Sequence, residues 1–229
     1  MPLYGSRITP YTDGSSKMEA LLGEIARARH HIHLQYYIFC DDETGRRLRD
    51  ALVEKARQGV HVRILYDDVG CSGVRKSFFE GMRREGIEVH AFLHVKFPRF
   101  TSKVNYRNHR KIVVIDHSIS YIGGMNIGKQ YANLAKVKNP WRDTQVRMTG
   151  GCSHVLDEYF LTDWLCSVRR KDWKETVEYV DSLPQVQETL SAQLCQFIVG
   201  GVDTNKESVK MCYLSMIRSA KHKIRIQSP

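Results

Sequence analysis

The sequence has no cysteine pair at the two-residue spacing that zinc sites and redox motifs use. Its six cysteines are scattered along the chain: Cys40, Cys71, Cys152, Cys166, Cys195 and Cys212. A chain of 229 residues can bury a sufficient core without disulfide bonds. We therefore interpret the cysteines as reduced thiols of a protein that faces the cytoplasm, and we expect no cysteine-based zinc site.

Long apolar runs are also missing. No stretch approaches the roughly 18–20 apolar residues that cross a bilayer, and no signal peptide follows Met1. The sequence as it stands predicts a soluble or peripheral protein.

A third absence removes a nucleotide-binding motif. Residues 123–129 match the start of a P-loop, G-x-x-x-x-G-K. The next residue is Gln130, whereas a P-loop places there the Ser or Thr that contacts magnesium. A nucleotide hydrolase is therefore not expected.

Acidic side chains are in deficit. There are 25 Asp and Glu residues against 35 Lys and Arg residues, which gives a net charge of +10. Residues 94–111 contain six Lys and Arg residues and no carboxylate. Such a charge favours a polyanionic partner, either nucleic acid or an anionic membrane surface. A solvated basic face with no partner is the alternative.

The periodicity of apolar residues alternates between the two regular structures. Strand-like runs occupy residues 32–39, 60–68, 87–93, 111–116, 119–122 and 144–149, and helical periodicity occupies 45–59, 74–85 and 153–168. Ser16 to Glu19 fits a capping box ahead of a further helix. This alternation predicts an α/β fold with a parallel or mixed sheet.

An internal repeat suggests two lobes. Residues 25–35, IARARHHIHLQ, align without gaps with residues 217–227, IRSAKHKIRIQ. Each copy reads as a helix that leads into a strand, the second strand carrying Ile224 and Ile226. We predict one complete lobe over residues 1–170, a connector over 171–192 and the incomplete start of a second lobe over 193–229. The chain is expected to be a piece of a longer, two-lobed protein.

His109 and Lys111 open a β-branched run and lie two residues apart. Alternate residues of a strand point to the same side, so the two side chains are expected to share one face. A neutral imidazole is a competent nucleophile toward phosphorus, and an ammonium stabilises the phosphoryl oxygens. The other ring nitrogen must then keep its proton, which a carboxylate can hold. Each feature alone is common in ordinary proteins, so the argument depends on their combination.

The complete spacing resembles a known signature. His109-x-Lys111, four residues, Asp116, and then Gly123-Gly124-x-Asn126 is similar to the H-x-K-x4-D…G-G/S-x-N motif of the phospholipase D superfamily. Four further stretches resemble its bacterial cardiolipin synthase branch: YYIFCDDETG (36–45), GVHVRILYDDVG (59–70), NYRNHRKIVVID (105–116) and WRDTQVRMTG (141–150), the last followed by Phe160 and Asp163-Trp164. The resemblance implies a phospholipase D-like sandwich, with a mixed central sheet flanked by helices and the motif segment at 104–130.

The resemblance also implies a mechanism and residue roles. A phosphatidyl group would move between two phosphatidylglycerol molecules through a phosphohistidine, with no metal and no cofactor. His109 would be the nucleophile and Lys111 the phosphate-binding cation. Asp116 would have a positional role, and Asn126 would contact phosphate. Gly124 would let the backbone approach phosphate closely, and Asp143 would hold the second nitrogen of His109.

Three residues outside the motif complete the interpretation. His30, His31 and His33 lie close together in the sequence, at the junction of a helix and a strand. No clustered ligand set with metal spacing is recognised among them, and they are interpreted as surface residues.

The sequence departs from the family pattern in two respects. The membrane helices that precede the motif in such synthases are missing, so that only surface basicity would hold the chain on the cytoplasmic face of the inner membrane. The second motif is also missing, so the general acid must come from a missing second lobe or a second copy of the chain. This chain alone is expected to be inactive and to self-associate.

Two rival functions remain open at this point. A phosphodiesterase that cleaves nucleic acid as a homodimer would share the fold and suit the charge. A catalytically inactive fragment that binds phosphate is the other alternative. The Gly-Gly before Met125-Asn126 and the Trp-Arg-Asp segment favour a lipid substrate over nucleic acid.

Overall fold

The computed structural model describes residues 3–92, 107–132, 137–138, 140–169, 172–182, 193–200 and 207–226. The strands within these residues are β1 (Leu3–Tyr11), β2 (His31–Tyr36), β3 (His61–Asp67), β4 (Glu88–Phe92), β5 (Ile112–Ile115), β6 (Ile119–Gly123), β7 (Gln145–Thr149) and β8 (Gln193–Cys195). The helices are α1 (Gly14–Arg27), α2 (Glu43–Arg57), α3 (Lys76–Arg84), α4 (Gly151–Ser167), α5 (Trp173–Asp181) and α6 (Ser208–Ser219).

All of these strands join one sheet in the order β4-β3-β2-β5-β6-β7-β1-β8. Strands β2, β3 and β4 are parallel, and the remaining pairs are antiparallel. The prediction of a mixed central sheet is therefore confirmed. Strand β1 was not predicted, because its Gly5, Ser6 and Pro10 break the apolar alternation, and it forms through pairing with the distant strand β7.

Helices cover both faces of the sheet. On one face, α1, α2 and α3 bury an apolar core that includes Leu21, Leu48 and Phe78. On the other face, α4 buries Leu156, Phe160 and Trp164 against strands of the same sheet. Burying each such large side chain contributes about 1.5–3 kcal/mol. The sheet is thus the middle of three layers.

Strand β2 is buried on both of its faces. Ile32, Leu34 and Tyr36 belong to the core beneath α1 and α2. The intervening residues His31, His33 and Gln35 face α4 and are 0–2% exposed. The prediction that His31 and His33 are surface residues is therefore wrong, whereas His30 is exposed as predicted. The error arose because a parallel strand covered on both faces buries even its polar positions.

The two copies of the internal repeat end their helices in the same way. The Ala28 N–H donates to the Ile25 carbonyl at 3.1 Å, and the Ala220 N–H donates to the Ile217 carbonyl at 3.4 Å. The first copy continues into β2, but residues 223–226 form no strand. The predicted strand at Ile224 and Ile226 is therefore absent, and these side chains are 50% and 74% exposed.

The start of α1 differs from the prediction, and two elements lie in the segments predicted as a connector and a second lobe. The start of α1 is capped by Asp13, whose carboxylate accepts from the Ser16 N–H at 2.6 Å, so the predicted capping box at Ser16 lies inside the helix. Within the predicted connector, Trp173–Asp181 form α5. Beyond it, β8 pairs with β1, so the predicted start of a second lobe adds a strand to the first sheet.

None of the described helices is both long enough and apolar enough to span a membrane.

Candidate active site

Three neighbouring strand ends create the edge at which most predicted site residues meet. The parallel strands β2 and β3 end at Tyr36 and Asp67, and the antiparallel strand β5 begins beside them, directly after Lys111. Ligand sites in open α/β sheets lie at the carboxyl ends of parallel strands. The fold therefore places the first half of the predicted motif at an edge suited to binding.

His109 and Lys111 contact each other directly. The Lys111 Nζ lies 2.9 Å from the His109 Nδ1 and donates to the His109 backbone carbonyl at 2.7 Å. Lys111 is only 2% exposed, whereas the His109 ring is exposed. The Tyr37 ring lies against both, with its centroid 4.6 Å from the His109 ring and 5.5 Å from Nζ. The site thus presents an accessible imidazole on a buried ammonium.

The electrostatic surroundings favour a neutral imidazole. Burial and then the charge of Lys111 lower the pKa of His109, against the opposing effects of Asp67 and Asp143. Burial lowers the pKa of Lys111 to about 8, with Asp143 opposing. At a pH between the pKa values of His109 and Lys111, the imidazole is neutral and has a free lone pair, and the Lys111 ammonium beside it is positively charged.

Asp143 is near the pair, and its charge acts on both His109 and Lys111. Its Oδ1 accepts from the Thr144 N–H at 2.6 Å, and its carboxylate lies against Gly124. The His109 Nδ1 faces the Lys111 Nζ, and Asp143 was predicted to hold the nitrogen of His109 that does not attack. A hydrogen bond from His109 to Asp143 stays a prediction.

Gly124 is required for space rather than for an unusual backbone angle. A Cβ added there would lie 2.1 Å from the Asp143 Oδ1, and one added at Gly123 would lie 2.3 Å from the Thr144 carbonyl oxygen. The Gly124 N–H also donates to the Thr144 carbonyl at 2.9 Å. The two glycines let residues 143–145 approach the motif, and their predicted approach to phosphate remains untested.

Asn126 is buried and fastens two segments of the site. Its Oδ1 accepts from the Ile38 N–H at 3.1 Å, and its amide donates to the Tyr131 hydroxyl at 2.8 Å. The Ile127 N–H donates to the Ile38 carbonyl at 3.1 Å, which holds the same segments together. The predicted contact between Asn126 and phosphate stays a prediction.

Asp116 lies at the opposite end of β5 from Lys111. Its carboxylate accepts from the backbone N–H groups of Arg29, His30 and His31 at 2.8, 2.8 and 2.9 Å. Three such bonds fix the turn between α1 and β2. The third motif residue is therefore not at the site, and its contacts fit a positional role.

Asp163 supports the motif segment from α4 and had no role in the sequence interpretation. Its Oδ2 accepts from Asn108 and from Gln35, each at 2.7 Å, and pairs with Arg110. Asn108 and Arg110 flank His109, so a single buried carboxylate holds both neighbours of that residue. The Asp-Trp dipeptide was visible in the sequence, but nothing local indicated its partners.

A second polar group lies on the same face as Asp163, around Asp157 of α4. The carboxylate of Asp157 contacts His33 at 2.6 Å, His117 at 2.8 Å and His31 at 3.0 Å. Burial lowers the pKa of His33 to about 4 despite the opposing charge of Asp157. Although burial raises the pKa of Asp157, the histidines hold it well below its usual range. The sequence interpretation missed this group.

The remaining predicted elements are only partly described. Of the basic run at residues 94–111, the structure describes residues 107–111, and the rest of the run lies outside the described residues. Within residues 107–111, the Arg107 guanidinium lies 3.8 Å from the buried Asp67 carboxylate. The described segment therefore carries an arginine next to the site as well as Lys111.

The sequence of the chain is similar to those of known proteins. A family model described as "Cardiolipin synthase, PLD-like domain" matches residues 21–139. The major cardiolipin synthase of Bacillus subtilis (strain 168) is 40% identical over 219 residues, which are 95% of this chain and 44% of that protein. The chain thus spans less than half the length of this curated relative.

Solved structures share the fold. NucT from Helicobacter pylori is 18% identical with a TM-score of 0.56, over 71% of this chain and 98% of that one. The phospholipase D family member Nuc from Salmonella typhimurium is 20% identical with a TM-score of 0.51, over 73% of this chain and 97% of that one. The predicted phospholipase D-like fold is thereby confirmed.

The charge of Lys111 should control the titration of His109. We expect the pKa of His109, followed by the imidazole proton shifts in NMR, to lie below its ordinary value of 6.5. In Lys111→Met it should rise, because a like charge beside the ring is removed. Lys129→Met is the matched control, since Lys129 is exposed and is not among the charges that act on His109. An unchanged titration in Lys111→Met would contradict the contact.

A side chain at position 124 should displace Asp143. We expect Gly124→Ala to lower the free energy of unfolding by about 1–3 kcal/mol, because the new methyl group overlaps the carboxylate. The pKa of His109 should also fall, because Asp143 normally raises it. Gly81→Ala is the control, because nothing lies within 4 Å of its added Cβ. It lies within α3, where alanine should stabilise by about 0.5–1 kcal/mol. Urea unfolding that shows equal stability for both variants would be contrary to this geometry.

Proposed function

Because the chain belongs to the cardiolipin synthase family of phospholipase D-like domains, we propose that its site transfers a phosphatidyl group between two phosphatidylglycerol molecules. The observation that supports this most directly is the exposed His109 ring with the Lys111 ammonium 2.9 Å from its Nδ1. Nucleophile and cation are side by side, at the edge of the sheet where a phosphodiester can approach them.

The first step makes and breaks one bond each at phosphorus. The His109 Nε2 attacks the phosphorus of phosphatidylglycerol, a phosphorus–nitrogen bond forms, and the bond to the glycerol oxygen breaks. Charge that builds on the phosphoryl oxygens is stabilised by the Lys111 ammonium. The departing glycerol oxygen takes a proton from a general acid.

The second step reverses the first with another alcohol. A hydroxyl of a second phosphatidylglycerol gives its proton to the same acid–base group and attacks phosphorus. The phosphorus–nitrogen bond breaks, cardiolipin forms, and His109 is regenerated with its lone pair.

Attack through Nε2 requires the proton of His109 to sit on Nδ1. In the structure a charged Lys111 would instead donate to Nδ1, which fixes the opposite tautomer. We therefore propose that the substrate draws the Lys111 ammonium onto a phosphoryl oxygen. The Nδ1–H is then free to donate to a carboxylate, and Asp143 is the candidate because its charge already acts on His109.

The general acid is proposed to come from a second H-x-K-x4-D motif. This sequence contains one such motif and spans 44% of the length of the Bacillus relative. A second lobe or a second copy of the chain is the proposed source. The net charge of +10 supports placement on an anionic membrane surface, which we propose to be the cytoplasmic face of the inner membrane.

The same charge also favours a second candidate, a phosphodiesterase acting on nucleic acid. The two candidates share the nucleophile and differ in the group that phosphorus carries. An assay that offers both phosphatidylglycerol and nucleic acid to the same protein distinguishes the two candidates.

Replacing the nucleophile should abolish transfer in a form that carries a second motif. We expect His109→Asn to reduce cardiolipin formation from phosphatidylglycerol vesicles by at least about 10³-fold, because no phosphorus–nitrogen bond can form. His30→Asn is the matched control, since the His30 side chain is exposed and is not part of the site. Alkaline quenching followed by mass spectrometry should detect a phosphatidyl adduct on wild-type His109. An adduct elsewhere, other than on the histidine of the second motif, would refute the assignment.

The 229-residue chain by itself should form no cardiolipin above a vesicle blank, because it lacks the second histidine. The measurement is lipid chromatography after incubation with phosphatidylglycerol vesicles, with single-stranded DNA offered in parallel. Robust cardiolipin formation would mean that two copies combine their single motifs. Cleavage of DNA without lipid transfer would favour the phosphodiesterase.

A further inference from the structure

Three imidazoles surround one carboxylate in the layer between the sheet and α4. Asp157 is 0% exposed, as are His31 and His33, and His117 is 3% exposed. We call these four residues the histidine cluster. Its contacts to the carboxylate measure 2.6 Å from the His33 Nδ1, 2.8 Å from the His117 Nδ1 and 3.0 Å from the His31 Nε2.

The fold brings the histidine cluster together from three elements. His31 and His33 are alternate residues of β2 and therefore face the same side. His117 follows β5 in a left-handed conformation with φ +54°, which L-residues rarely adopt. Asp116, whose carboxylate fixes the start of β2, holds this turn beside His31. The positions of the imidazoles are thus determined by the backbone and not only by side-chain packing.

Hydrogen bonds among the described residues do not satisfy the histidine cluster. The His31 Nδ1 and His33 Nε2 are buried and have no hydrogen-bond partner. The His117 Nδ1 lies 2.8 Å from the Asp157 Oδ2 but is not aligned for a hydrogen bond. Buried polar atoms without partners each cost about 1–3 kcal/mol. The imidazole nitrogen and the carboxylate oxygen of this contact each have a lone pair that a cation entering between them could use.

We propose that His31, His33, His117 and Asp157 bind one zinc ion at a closed structural site. The ligand atoms of His31, His33 and Asp157 all lie within 4.8 Å of one another, and His117 is placed beside this group by its 2.8 Å contact with the Asp157 Oδ2. A tetrahedral zinc ion at about 2.0–2.1 Å from each nitrogen requires ligands about 3.4 Å apart. The contacts to Asp157 therefore need to open by less than about 1 Å for the ion to enter.

The donor set selects the class of metal. Three imidazole nitrogens and one carboxylate suit zinc and similar transition ions, whereas calcium and magnesium prefer all-oxygen sites. The Asp157 carboxylate offsets one of the two positive charges of the zinc ion.

Two further side chains lie beside the histidine cluster. Arg63 on β3 is the residue paired with His33 in the sheet, and its charge is offset by Glu88 at 2.9 Å. Tyr179 of α5 lies over the same rings, with its centroid 6.0 Å from His33 and 6.4 Å from His31.

The site is separate from the proposed chemistry. His31 begins β2, whereas Tyr37, which contacts His109, follows the end of that strand. Tyr37 lies six residues beyond His31 and four beyond His33, which corresponds to roughly 20 Å and 13 Å of extended chain. The ion would join β2, β5 and α4 and would not reach a substrate at His109, so its removal should act through stability.

The full chain is tested after chelation and reloading with cobalt or zinc. We expect about one ion per chain and the intense visible absorption of tetrahedral cobalt, without a thiolate charge-transfer band. X-ray absorption of the zinc form should show nitrogen and oxygen neighbours at about 2.0–2.1 Å with imidazole scattering and no sulfur. Absence of bound ion, an octahedral cobalt spectrum or a sulfur neighbour would each overturn the proposal.

Variants provide the second measurement. Asp157→Asn and His31→Gln should bind zinc at least about 10-fold more weakly and should lose the rise in Tm that zinc gives the wild-type protein. His30→Gln is the matched control, because its side chain is exposed one residue away. Wild-type affinity in both ligand variants would refute the site. If a variant does not fold, the cobalt and X-ray absorption spectra of the wild-type protein still test whether the zinc site exists.

Discussion

The burial of β2 on both faces is the constraint on which the rest of the structure depends. One face is ordinary, because its apolar residues join the core beneath α1 and α2. The other face presents two histidines and a glutamine to a layer from which water is excluded. Buried polar groups must find partners there or destabilise the fold. Two carboxylates of α4, Asp157 and Asp163, supply most of those partners.

This arrangement gives α4 two roles at the two ends of one strand. At the beginning of β2, Asp157 collects the imidazoles of the histidine cluster. Near its end, Asp163 binds Gln35 together with Asn108 and Arg110, which flank the proposed nucleophile. The position of His109 relative to β2 is therefore set by a helix that follows it by more than 40 residues in the sequence. A substitution that disturbs the packing of α4 is therefore expected to displace His109, even when every residue of the motif is unchanged.

Local patterns predicted what depends on local geometry. The mixed sheet follows from the alternation of helices and strands. The contact between His109 and Lys111 agrees with their two-residue spacing, although both residues precede β5 and neither belongs to a strand. The histidine cluster could not be predicted in this way, because Asp157 lies more than 120 residues from His31 and His33. The same holds for β1, which becomes a strand through its pairing with β7. The expected strand at Ile224 and Ile226 shows the reverse case, in which a favourable pattern forms no strand within the described residues.

The place of β1 in the sheet has a consequence for the order in which the protein assembles. Among the described strands this one comes first in the chain, yet its neighbours β7 and β8 come last. For most of synthesis it has no pairing partner, while β2, β3 and β4 can already associate with nearby segments. Contacts between residues so far apart slow folding, because a long loop must close before they form. Pairing of β1 on the ribosome therefore waits until residues 145–149 have emerged, and until then both edges of this strand are open.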